Sequence, residues 1–186
     1  MSNTHTRYGR VAQTLHWITA TLVLTAFYFG PGGPELRVYA PARDFGRQFH
    51  ETLGLCVFAV TLLRVLWLLV DERPPELPIA RWMTVASKAT QGLLYLLLFA
   101  VPLTAILGAW LEGHPLTLLT GLNIAPAIAT SHDLGLTISS LHKLLGDLIL
   151  WLAGLHACAA LFHHVILKDQ VLVSIMPKWL IGDRRQ

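Results

Sequence analysis

Four long apolar runs, separated by shorter polar connectors, dominate the chain. They lie near Val11–Gly30, His50–Val70, Thr90–Leu111 and Leu141–Leu167. Each reaches the roughly 20 residues that a helix needs to cross a bilayer. Between them run the Gly/Pro-rich stretch Pro31–Pro41, the proline-marked Asp71–Arg81, and a longer loop around Glu112–Ser140. The pattern predicts an all-α membrane protein, one domain over residues 1–186, folded as a four-transmembrane-helix bundle. The first run follows Arg7 and Arg10 as in a signal peptide, but no small-x-small cleavage site follows it, so it reads as a retained span.

Composition narrows the classes. Of 186 residues, 54% are hydrophobic and only 13% charged, with a mean hydropathy of +0.54. Soluble domains carry roughly a quarter charged residues. A disordered chain is excluded, an ordinary soluble enzyme is disfavoured, and the surplus apolar surface must face lipid. Cys56 and Cys158 sit inside apolar runs and form neither CxxC nor CxxCH, so covalent c-type haem, iron–sulfur clusters and zinc ribbons lack support. Both read as buried small hydrophobes. The net charge of +3 comes with no basic stripe of interleaved aromatics, which argues against a nucleic-acid partner.

The cations instead sit at the ends of the runs. With the N-terminus inside, the inner side holds Arg7, Arg10, Arg64, Arg73, Arg81, Lys88, Lys168, Lys178, Arg184 and Arg185, and the outer side Arg37, Arg43, Arg47 and Lys143. Ten against four places both termini in the cytoplasm. Trp82 and Trp179 at the inner boundary and Trp110 at the outer one fit interfacial belts.

Six of nine histidines lie in or at the edge of the runs: His16, His50, His142, His156, His163 and His164. Ionisable groups in a membrane are expensive and functional by default. His50 and His142 open the two spans that start outside. His156 follows His142 by fourteen residues, about 21 Å deeper and within roughly 40° of the same helix face, at the level of His16. The expected pairs are His50 with His142 on the outer side and His16 with His156 on the inner. A bare metal would need three or four protein ligands, whereas haem brings four nitrogens of its own. Two non-covalent b-type haems are therefore expected.

Gly54 and Gly146 each follow a histidine of these pairs by four residues, in a shared H-x-x-L-G pattern. On the histidine's own face they leave room for a flat macrocycle, although small residues also serve close helix packing. Arg64, fourteen residues after His50, reads equally as a partner for a haem propionate or as a snorkelling anchor. His163, on the inward face near the cytoplasmic end, reads equally as a residue that meets a quinone headgroup, with Lys168 nearby, or as a polar residue at the lipid boundary. Asp147 and Glu51 read as water-solvated, and His5, His114 and His132 as exposed residues without a role.

These residues resemble the bacterial cytochrome b561 family over nearly the whole chain. The carriers are Arg10 with Leu15-His16-Trp17, His50 with Gly54, Arg64 ahead of Leu66-Trp67, Pro102-Leu103-Thr104, His142 with Gly146, and His156 followed by His163-His164-Val165-Ile166-Leu167-Lys168-Asp169 with Leu172, Met176 and Pro177. Ala105 stands where many members have glycine. The resemblance implies a multi-pass inner-membrane protein with two b haems ligated by His16, His50, His142 and His156. It also implies electron transfer between the outer side and the quinone pool, in one subgroup from superoxide to ubiquinone. Arg37, Arg43, Arg47 and Lys143 would then offer a positive approach for a small anion, or be ordinary loop charge. The alternatives are a haem-carrying anchor that docks a separate redox protein without turnover of its own, and a metal or haem transporter.

Overall fold

The computed structural model describes residues 7–32, 38–71 and 79–177; Arg37, Arg73, Lys178, Arg184, Arg185, His5 and Trp179 lie outside them. The chain forms α1 (Arg10–Phe29), α2 (Asp44–Val70), α3 (Arg81–Glu112), α4 (His132–Phe162) and a short α5 (Val171–Ile175). A two-stranded antiparallel hairpin, β1 (Leu116–Thr117) with β2 (Asn123–Ile124), sits between α3 and α4.

Among the described residues, three stretches are long and apolar enough to cross a membrane: Pro41–Val70, Arg81–Glu112 and His132–Leu167. The 20-residue α1 is more polar, carrying Gln13, His16 and several threonines. Its Thr19, Thr21 and Thr25 hydroxyls donate back to the carbonyls of Leu15, Trp17 and Thr21 at 2.7, 3.0 and 2.8 Å, so they are satisfied within the helix.

Three helices begin six to nine residues before the apolar runs they carry, because hydropathy marks lipid contact and not the first turn. Asp44 starts α2, favoured at the positive end of the helix dipole, and Arg47 bridges to Asp44 and Glu51. In α4, Asp133 occupies the first turn. The expected long outer loop thus shrinks to Gly113–Ser131. It opens on Gly113, left-handed at φ 88°, whose N–H reaches the Trp110 carbonyl while the His114 N–H reaches that of Ala109.

Packing follows two hairpins, α1 against α2 and α3 against α4, with a thinner α2–α3 contact and little between α1 and α4. Small residues set the α3–α4 approach: a Cβ on Gly108 would fall 2.5 Å from the Ser139 hydroxyl, and one on Gly135 would fall 2.8 Å from the Glu112 nitrogen. The buried core, Val57, Leu97, Leu98 and Ile149, sits at mid-depth. Ile149 lies seven residues from both His142 and His156, about 10 Å from each along the axis.

The outer surface is apolar, with Leu69 77% and Trp151 74% exposed. That is the lipid face of a membrane protein. Cys56 and Cys158 belong to it: both are exposed and free, not buried as expected from their apolar surroundings. Within an apolar run, sequence alone does not distinguish a core-facing position from a lipid-facing one.

Candidate functional site

The four histidines converge as two pairs. His50 of α2 faces His142 of α4 with ring centroids 6.0 Å apart, and His16 of α1 faces His156 of α4 at 6.4 Å. Each pair bridges elements of different hairpins, where helix contact is thinnest. Two imidazole–metal bonds of about 2 Å plus the two ring radii amount to about 6.3 Å between centroids. Both separations are compatible with a metal held between the two rings.

The His50/His142 pair is oriented by backbone. His50 donates its Nδ1–H to the Ala26 carbonyl at 2.7 Å, and His142 donates to the Val101 carbonyl at 2.9 Å. Each bond fixes the tautomer and leaves Nε2 free to ligate, the usual outer-shell arrangement around a metal-binding histidine. Val101 directly precedes Pro102, which lacks an N–H and interrupts the α3 ladder. The Thr104 hydroxyl donates to the Ala100 and Val101 carbonyls. The Pro102-Leu103-Thr104 motif therefore surrounds the carbonyl that receives His142.

At the inner level, Arg64 lies close enough for its charge to act on both His16 and His156, and its guanidinium sits 4.9 Å above the Tyr95 ring. Trp67, three residues on, buries an indole N–H with no protein acceptor, as does Trp110 at the outer end. A buried donor left unsatisfied costs on the order of 1–3 kcal/mol. Such donors fit a group that brings carboxylates of its own. At Gly54 and Gly146 an added Cβ meets nothing within 4 Å, so the chain leaves open space beside one histidine of each helix. Among the described residues no cluster of three or more His, Cys, Asp or Glu is placed to hold a metal ion. Two facing imidazoles, free donors and open glycine faces fit haem.

The four cations expected on the outer side divide. Arg43 and Lys143 are exposed, while Arg37 lies outside the described residues. Arg47 is 9% exposed and pairs with Asp44 and Glu51, both at 2.9 Å. Its charge is balanced by these two carboxylates. Glu51 also accepts from the Thr117 N–H at 2.6 Å, and the Thr52 hydroxyl accepts from the Leu119 N–H at 3.1 Å. Arg47 further caps the Tyr39 ring, which stacks on His114 at 3.5 Å. Glu51 and His114, expected to be water-solvated and idle, instead clasp the β hairpin to α2. Removing Arg47 leaves a largely buried Glu51 carboxylate, a loss on the order of 3–5 kcal/mol. Arg47→Ala is expected to speed hydrogen exchange at the Thr117 and Leu119 amides, and unchanged exchange there would argue against the clasp.

At the opposite end, His163 is half-buried and donates Nδ1–H to Asp169 at 2.5 Å, while His164 and Lys168 are exposed. Asp147 is exposed in α4. The Asp169 contact was invisible to a helical-face argument because it depends on how α4 ends.

A sequence profile described as prokaryotic cytochrome b561 matches residues 7–178. The chain is 30% identical over 177 residues to a probable superoxide oxidase of Yersinia pestis, covering 94% of this chain and 98% of that one. It is 29% identical over 178 residues to cytochrome b561 homolog 2 of Escherichia coli, 95% of each. It is 32% identical over 183 residues to a cytochrome b562 of Cereibacter sphaeroides, 91% of this chain and 94% of the other.

Proposed function

Since the chain belongs to the prokaryotic cytochrome b561 family, a multi-pass electron-transfer cytochrome of the bacterial inner membrane, we propose that it holds two b-type haems and carries electrons from an outer-side donor to the quinone pool. The observation that carries this reading is the pair of imidazole separations, 6.0 and 6.4 Å, at two depths on one helix. In the proposed arrangement α1 is the fourth span and both termini are cytoplasmic, as the ten-to-four cation bias favours.

Haem b, when bound, supplies one-electron redox chemistry without covalent attachment. His50 and His142 would hold one group through Nε2, and His16 and His156 the other. Arg64 and the Trp67 N–H would pair with carboxylates at the inner level. Val57, Leu97, Leu98 and Ile149 fill the space between the levels with apolar atoms and keep water out of it.

Superoxide is the proposed donor, supported by the relative named as a probable superoxide oxidase. The residues then needed outside are cations that attract a small anion, and exposed Arg43 and Lys143 serve. Going from 0.01 to 0.15 M salt shortens the Debye length from about 30 to about 8 Å. Stopped-flow reduction of the purified protein by superoxide should slow across that range, and Arg43→Glu should slow it further at low salt. A rate indifferent to both would remove electrostatic steering, and no reduction at all would remove superoxide as the donor. Ubiquinone is the proposed acceptor near His163 and Lys168.

A further inference from the structure

The end of the bundle carrying α5 is organised by a change of helix type. At His163, α4 gives way to a π-helical turn, His163–Leu167, which ends on Lys168 at φ 54°. Left-handed non-glycine backbone costs on the order of 1–3 kcal/mol, and such features concentrate where function requires them. Had α4 continued, Asp169 would lie about 9 Å further along the axis and on another face from His163. The turn instead brings it back. Its N–H donates to the His163 carbonyl at 3.1 Å, and its carboxylate divides between two donors. Oδ2 takes the Nδ1–H of His163 at 2.5 Å, and Oδ1 takes the N–H of Val171, the first residue of α5, at 3.0 Å. The two side chains are 14% and 23% exposed. From the other side, α5 is held by the start of α1. Arg7 donates to the Met176 carbonyl, Gln13 to that of Ser174 at 3.3 Å, and the Trp17 indole to that of Ile175 at 3.1 Å.

We propose that Asp169 is the positioning residue for quinone reduction: it fixes the His163 imidazole with Nδ1 protonated, so that Nε2 is the ring atom that meets a quinone carbonyl. This rests on the reading that quinone is reduced at this end of the bundle. Reducing ubiquinone to ubiquinol takes two electrons, supplied singly by the reduced b-type cytochrome, and two protons. The His163 imidazolium gives its Nε2–H to the carbonyl oxygen, so that an N–H bond breaks and an O–H bond forms. The ring is left neutral with Nδ1–H still on Asp169, and water restores the Nε2 proton before the second transfer. The carboxylate, held in place by the Val171 N–H, keeps the ring from turning.

Asp169→Asn separates this role from folding. The asparagine oxygen still accepts from Val171, but the group facing His163 becomes an NH₂ donor, so Nδ1 must accept and the proton moves to Nε2. The test uses the full-length, haem-loaded protein and ubiquinone-1. Haem content should be unchanged, and the ¹⁵N signature of His163 should switch tautomer. The maximal rate of reoxidation of dithionite-reduced protein by ubiquinone-1 should fall about 10- to 100-fold, in the range typical of losing a positioned proton donor. Half-saturation should change little, and Asp169→Glu should recover most of the rate. If His163→Gln is slow but Asp169→Asn is as fast as wild type, the positioning role is overturned. A rise in half-saturation alone, or loss of haem from both Asp169 variants, overturns it too by showing a structural role. If His163→Gln is itself as fast as wild type, the quinone reading fails, while the ¹⁵N tautomer still reports separately whether Asp169 sets the ring.

Discussion

On the proposed two-haem arrangement, replacing His16 or His156 by alanine should in each case remove the same haem. Their rings face each other at 6.4 Å across α1 and α4, so either loss leaves the site with a single imidazole. His50→Ala and His142→Ala should each remove the other haem. Haem per chain, measured with reduced-minus-oxidised spectra, should fall from two to one in every single variant. The double variant His16→Ala/His156→Ala should stay at one, whereas His50→Ala/His156→Ala should fall to none. This non-additivity is the signature of residues acting as a unit. If His16→Ala and His156→Ala deplete spectrally different haems, the pairing is wrong even with both haems present.

Filling the glycine faces gives the second large effect, and its sign is diagnostic. A Cβ at Gly54 or Gly146 meets no protein atom within 4 Å. For the bare polypeptide, Gly→Ala inside a helix should therefore stabilise by about 0.5–1 kcal/mol. With a macrocycle against those faces, even a methyl group intrudes, and Gly54→Leu or Gly146→Leu should cut occupancy of the adjoining haem at least several-fold while helical content is retained. Spectroscopic haem stoichiometry read beside a thermal melt distinguishes the cases. Full occupancy with a raised melting temperature would mean that the open space belongs to lipid or to nothing.

The number of residues between histidines translates into depth and direction because a helix has fixed rise and rotation. Fourteen positions separate His142 from His156, and that spacing alone puts both on one side of α4. Apolar run length likewise located the long helices, since crossing a bilayer demands it. Their first turns were less legible, because Asp44–Phe49 mixes charged and polar residues with phenylalanine and its helix is held by ion pairs local to α2.

Other features are decided between elements. The acceptors that set the His50 and His142 tautomers are the carbonyls of Ala26 and Val101, and a backbone carbonyl leaves no mark on residue identity. Pro102 and Thr104 were the only hints at the second. Tyr95 beneath Arg64, and Tyr39 and His114 around Arg47, join residues far apart in the chain whose types are unremarkable singly. Asp169 reaches His163 only because α4 ends in a π turn, which shifts the register of every later side chain.

The sequence by itself therefore determined where the long apolar helices run and how far apart, and on which face, the imidazoles of one helix sit. These follow from local periodicity and from the transfer free energy of side chains, which need no knowledge of neighbours. Tertiary structure alone decided which polar groups satisfy one another inside the bundle, why Arg47 and Glu51 close a clasp instead of meeting solvent, and which face of each apolar run turns to lipid. In a low-dielectric interior every donor must find an acceptor within about 3 Å, and that choice depends on how separate helices dock.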